Sequence, residues 1–278
     1  MVKICNLKTS KFYTVLRQAL LVTILQSVSA EAAPDSAVPP SLTACGLARI
    51  NSVNGAVLTT EDSNQIQLAS IKMPELWPDG ATYASWPHAA WAHKILVEQT
   101  EGKAIELFCE SETISFDGQK IAHILLPDGE WLQQKLLEKG AAYVFTRRDQ
   151  TAALAQLYAA EDRARLQGLG VWQTTELLVA DSKAKNEGIR TGWFQIIRGT
   201  VLNVAAVRRQ TFLNFGTNWR QDFTVEIPAR AMRAFTKAGT APTVFQNKYV
   251  EVRGWVTWKG GPHIMLEGPG QIRLIEQN

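Results

Sequence analysis

Twice along this chain of 278 residues, three short strand-like runs are followed by a helical stretch and then two more strand-like runs. In the first pass the strands are expected near 47–53, 56–60 and 65–71, with "EDSN" (61–64) turning between the last two. A loop, "PELWPDGATYASWP" (74–87), leads to a helix over 88–99, and strands follow at 103–110 and 119–127. In the second pass the strands are expected at 193–207, 210–216 and 222–228, then a helix at 229–239, then strands at 247–258 and 261–276. Alternating apolar residues bounded by turn-forming clusters, such as "KGG" and "GPG" here, are the signal for such strands.

Five strands with a helix between the third and fourth is the plan of an OB barrel. The expected fold class is therefore a β-barrel with helices (α+β), followed by a second OB-like β-barrel. Two more helices separate them. Trp131, Leu132, Leu136 and Leu137 recur at helical spacing within 129–145, where Gly140 suits the C-cap. The stretch 151–172 is closed by Gly168 and Gly170. The polar segment after Thr174 reads as a linker. The expected organisation is a signal peptide (1–30), a flexible Pro-rich lead (31–45), a first domain (46–173), a linker (174–190) and a second domain (191–278).

The N-terminus has its own character. Lys3, Lys8, Lys11 and Arg17 precede the apolar run "ALLVTILQSVSA", which ends in small residues that offer cleavage after Ala30 or Ala32. That order is the mark of a secretory signal, and the run is short for a bilayer span of about 20 residues. The expected location is exported, periplasmic or extracellular, with no transmembrane anchor in the mature chain.

Removing residues 1–30 also changes what the charge means. Residues 31–187 hold 13 basic and 21 acidic side chains, and residues 188–278 hold 12 and 5. The second half is therefore basic enough to meet phosphate, or the two halves attract each other. Cys5 leaves with the signal, so Cys45 and Cys109 remain as an even pair in an oxidising compartment. The first and fourth strands of an OB barrel are antiparallel neighbours. The pair is expected to form a disulfide there, worth about 3–4 kcal/mol.

Four stretches, "MPE" (73–75), "GQKIAHIL" (118–125), "GEWLQQKLLEKGAAYV" (129–144) and "AEDRARLQGLGVW" (160–172), stand in an order that carries a family likeness. On them, residues 46–172 resemble the staphylococcal nuclease-like (thermonuclease) family, and the C-terminal part resembles an extra OB-like domain of some bacterial relatives. The resemblance implies phosphodiester hydrolysis with a bound calcium, a glutamate holding the attacking water, and two arginines neutralising the phosphate. Glu75 stands at the glutamate position. Gln67 and Gln119 stand where the family has arginine, and Ala56 and Lys72 where it has metal-binding aspartates.

Glutamine supplies no positive charge, and a lysine repels a divalent cation. Losing one transition-state donor costs about 10²–10³ in rate. The expectation is a catalytically degenerate protein with no cofactor, acting as a binding or scaffolding module. The alternative is a secreted calcium-dependent nuclease acting on DNA or RNA, with Lys72 or Lys120 standing in for a missing cation.

Beyond that likeness, Arg208, Arg209, Trp219 and Arg220 form a candidate nucleic-acid-binding set in the basic C-terminal domain, since OB barrels hold single strands with basic grooves and stacking aromatics. Another exported protein is the other candidate partner. Trp77, Tyr83, Trp86 and Trp91 crowd one loop and helix start, either as packing or as an apolar patch for a protein or glycan. His88, His93, His123 and His263 show no catalytic or zinc spacing.

Overall fold

The computed structural model describes residues 38–78, 84–110, 114–148, 150–184, 188–218 and 220–276. The expected signal segment, most of the lead, Tyr83 and Trp219 lie outside the described residues. The first half contains β1 (Thr43–Asn54), β2 (Val57–Thr60), β3 (Gln65–Leu68), β4 (Ile71–Lys72), α1 (Ala89–Thr100), β5 (Ala104–Cys109), β6 (Lys120–Leu125), α2 (Leu132–Glu138), β7 (Tyr143–Val144) and α3 (Leu154–Leu166).

Strands β1-β2-β3-β6-β5 close into a barrel, with β3 and β6 parallel and the other pairs antiparallel. Closure depends on the length of β1. Its residues 43–49 pair with β5 and its residues 50–54 with β2, and register shifts mark the bend. Alternate residues Ile50, Leu58, Ile66, Ile105, Leu107 and Ile124 point inward and are buried. On the outside of β6, the buried Gln133 of α2 accepts from Ile124 N (3.0 Å) and donates to Ala122 O (3.0 Å), which satisfies backbone groups the helix would otherwise strand.

One expected element is shorter than the sequence suggested. The strand over 65–71 breaks because Ser70 adopts φ 61. The chain then leaves the barrel, and β4 pairs with β7 through Ile71 and Val144. The helix expected within 129–145 ends at Glu138, beside the C-cap glycine: Gly140 adopts φ 68, and a Cβ there would collide with the Leu169 carbonyl. Gly140 O instead accepts from Val171 N (2.9 Å), fixing α3 and its following turn against the barrel.

The second half contains β8 (Val179–Asp181), β9 (Phe194–Thr200), β10 (Asn203–Val207), β11 (Gln210–Asn214), β12 (Thr224–Ile227), α4 (Ala229–Lys237), β13 (Tyr249–Trp258), β14 (Pro262–Met265) and β15 (Ile272–Leu274). They form one eight-stranded open sheet ordered β10-β11-β12-β14-β13-β9-β8, with β15 on β13. The order around β10 to β9 repeats that of the first barrel, with the expected 193–207 strand divided into β9 and β10. The segment expected to be a linker contributes β8, which pairs in parallel with β9 through Ala180 and Ile197.

Both sheets belong to one compact unit, and charge fastens them. Arg253 of β13 and Glu161 of α3 are fully buried and paired by two hydrogen bonds, of 2.6 and 2.7 Å. Arg253 also donates to Val144 O (2.8 Å), while Glu161 accepts from Val144 N (2.6 Å). Glu251 is reached by Arg165 (2.6 Å), Arg198 (3.0 Å), Arg273 (3.1 Å) and Arg253. Burial opposes its ionisation, yet Arg253, Arg165 and Arg273 hold it well below the usual carboxylate range. Arg273 completes the seam with a bidentate pair to Asp162 (2.8 Å twice). Arg253 and Arg273 of the basic half thus meet Glu161 and Asp162 of the acidic half, while Arg165 and Glu251 pair with the signs reversed. Among the described residues no helix is long and apolar enough to cross a membrane.

Candidate functional site

The departure of β4 from the barrel sets up the site. It carries Lys72 and, three residues on, Glu75 to the seam between the sheets. Lys72 Nζ donates to Glu75 Oε1 at 2.8 Å, and the two side chains are 18% and 28% exposed. The ammonium lies 4.8 Å from the Trp255 ring and 5.8 Å from the Phe194 ring, so the second sheet supplies the other side of its surroundings. Glu75 O accepts from Trp86 N (2.9 Å), and Ser85 Oγ both accepts from Trp77 N (2.8 Å) and donates to Trp77 O (3.2 Å). These bonds fold the 73–78 segment back on itself. Behind it, Tyr143 stacks on Phe194 at 5.1 Å, and burial, aided by the Glu75 charge, pushes its hydroxyl pKa upward.

A cleft of about 1030 Å³ opens at this point. Gln67, Ala56, Lys72 and Glu75 all line it, so four of the five positions read from the family likeness converge there. Gln119 does not join them. It sits at the barrel surface, donating to Gln65 Oε1 at 3.0 Å. Lys120, the neighbouring candidate cation, donates to Cys45 O at 2.6 Å and is engaged on the disulfide side. Arg147, Trp77, Trp86, Trp193 and Trp255 complete the walls.

Calcium requires several hard oxygen ligands, and this donor set does not fit it. An alanine and an ammonium stand at two of the positions, and the carboxylate is bonded to that ammonium. Among the described residues, no group of three or more His, Cys, Asp or Glu side chains is gathered so as to hold a metal.

The candidate set in the C-terminal half is not one site. Arg208 and Arg209 lie in the β10–β11 turn, whereas Arg220 lies in the loop beyond the far end of β11. A five-residue strand separates those ends by about 16 Å. Trp219 is outside the described residues. Cys45 and Cys109 do form a disulfide, with Cα atoms 5.9 Å apart. Cys45 sits within β1, at the register shift between Ala44 and Gly46, not ahead of the strand.

Sequence reasoning missed two features. His263 has partners after all: Nε2 is 3.1 Å from Glu226 Oε2 and Nδ1 is 3.1 Å from Thr257 Oγ1. Burial still lowers its pKa against the pull of Glu226. Three separate strands supply that trio, and local spacing carries no trace of it. Trp193 and Trp255 were also missed as site residues. Trp255 stands on the exposed face at the end of β13 with Thr257, in alternation with the buried Gly254 and Val256. The early tryptophans divide between roles: Trp86 packs on Trp193 at 5.1 Å, while Trp172 is buried under Arg165 at 4.2 Å.

Comparison with curated proteins gave no match to this chain. Residues 65–174, from β3 past the turn after α3, match the family model described as staphylococcal nuclease homologue. Gln67, Lys72, Glu75 and Gln119 fall inside the matched span and Ala56 outside it. The match, the closed barrel and the convergence of Gln67, Lys72 and Glu75 on one cleft agree: this part of the chain is similar to the staphylococcal nuclease homologue family.

Proposed function

We propose that this protein is an exported, catalytically degenerate member of the nuclease fold that acts as a binding module. The observation that carries the reading is the 2.8 Å contact between Lys72 and Glu75. It places a fixed ammonium beside the carboxylate the family likeness assigns to the attacking water. Phosphodiester hydrolysis concentrates negative charge on the transferring group, so the cations around it supply most of the rate. Gln67 lines the cleft without charge, and Gln119, bonded to Gln65, lies outside its lining. Each lost donor is worth about 10²–10³, so two lost together cost about 10⁴–10⁶ before the missing metal ligands are counted. The Cys45–Cys109 disulfide supports an oxidising, periplasmic or extracellular location.

The test is a nuclease assay on single- and double-stranded DNA and RNA, with and without calcium, beside Glu75→Ala. The reading expects no cleavage in any arm. Calcium-dependent cleavage that Glu75→Ala abolishes would contradict it and restore the alternative of a secreted nuclease.

A further inference from the structure

The cleft at Glu75 is too well walled to be only the remains of a lost active site. Two of its tryptophans, Trp193 and Trp255, come from the second sheet, and two, Trp77 and Trp86, from the segment after β4. Trp77 is 39% exposed and Trp255 43%, so both present indole surface to whatever enters. Trp86 and Trp193 meet at 5.1 Å with planes tilted by 50°, forming a corner. Indoles contribute large rigid apolar faces at low entropic cost.

The electrostatics of the cleft narrow the choice of ligand. Lys72 and Glu75 neutralise each other, which leaves two cations here, Arg147 in the lining and Arg190 stacked 5.0 Å from the Trp193 ring. Phosphate polymers bind where several cations gather, and this cleft does not gather them. Its remaining polar side chains include Gln67 and Thr191, groups that both donate and accept. Flat apolar walls with such groups between them complement a sugar ring, which has an apolar C–H face and a rim of hydroxyls that also donate and accept. The volume, about 1030 Å³, stands at the upper end of small-ligand sites.

We infer that the cleft between the two sheets binds an oligosaccharide of low net charge, with a ring face on Trp255 and hydroxyls on Gln67 and Glu75. The inference rests on the binding-module reading and names the ligand class of the same site.

The experiment is titration of the oxidised protein with chitotriose, cellotriose and maltotriose to about 10 mM, a range in which weak sites still register. Tryptophan fluorescence and calorimetry are the readouts. At least one trisaccharide is expected to give a saturable signal, weakened about tenfold or more by Trp255→Ala and by Gln67→Leu. Gln67→Leu keeps side-chain bulk on β3, and an unchanged melting midpoint identifies its effect as lost recognition. No binding by any of the three, or equal binding by both variants, overturns the inference. So does saturable binding of a single-stranded oligonucleotide or a proline-rich peptide without any saccharide. Nuclease activity in the same preparation would overturn the underlying reading, whereas no cleavage together with no saccharide binding overturns this inference alone.

Discussion

Two of the ion pairs at the seam between the sheets differ in whether solvent reaches them. Arg253 and Glu161 are entirely buried, with Val144 bonded to both. Lys72 and Glu75 are 18% and 28% exposed and open onto the cleft. In the first pair the hydrogen bonds among the guanidinium, the carboxylate and the backbone hold the sheets together, and no ligand can reach them. In the second the charges cancel but their outer faces remain available. Charge at the seam therefore fastens the sheets at the buried pair and, on the function proposed above, meets a ligand at the open one; burial separates the two.

The comparison breaks most sharply at Arg253. Arg253→Met removes the bidentate partner of the buried Glu161 and leaves it the Arg165 guanidinium at 3.1 Å, and stability is expected to fall by about 3 kcal/mol, read by urea unfolding followed through circular dichroism. A loss under about 1 kcal/mol, the level of a surface pair, would mean that the seam is not sealed. Reducing Cys45–Cys109 tests the barrel away from the seam. The bridge spans 64 positions, and its removal is expected to cost about 4 kcal/mol in the chain-entropy account. Urea midpoints with and without reductant measure this, with thiol titration confirming that the bond opened.

Acid comes next. Neither ring nitrogen of His123 finds a hydrogen-bond partner among the described residues, and burial lowers its pKa from 6.5 to about 4. As pH falls through 6.5 the unfolded chain takes up a proton that the folded ring refuses. About 3 kcal/mol of stability is lost by pH 4. Glu251 has the usual carboxylate sign, since its depressed pKa adds stability above the unfolded value and loses it below. His123→Phe should therefore flatten the decline between pH 6.5 and 4 and leave the steeper loss at lower pH. An unchanged slope would assign the decline to other groups. The smallest effect is expected at the open pair: Lys72→Met should change stability by no more than about 1 kcal/mol. A larger loss would move that pair into the fastening class.

Much of the first half was legible because local signals and long-range packing agree there. Turn residues at 61–64, apolar alternation in β5 and β6, and Gly140 as a helix stop all point toward the barrel that forms. The break at Ser70 was not legible, since a serine gives no sign that it will adopt a positive φ, yet that break carries Lys72 and Glu75 to the seam. β8 was hidden in a polar segment because its pairing with β9 is made by backbone groups. The substitutions at Gln67, Lys72 and Ala56 were readable one by one. The walls from Trp193 and Trp255 were not, because they arrive from more than a hundred residues away, and the distance between Arg208 and Arg220 became visible only once β11 was placed between them.

The most direct test of the account is calorimetric titration of the wild-type protein with calcium, paired with its melting midpoint. The account predicts no saturable heat and no shift to about 10 mM calcium, because Lys72 holds Glu75 where a cation would need it. A true site with a dissociation constant of about 0.1 mM would by then stabilise the fold by about 2.7 kcal/mol. Binding near one calcium per chain, with a raised midpoint, would contradict the claim that this nuclease fold has exchanged its metal for a lysine.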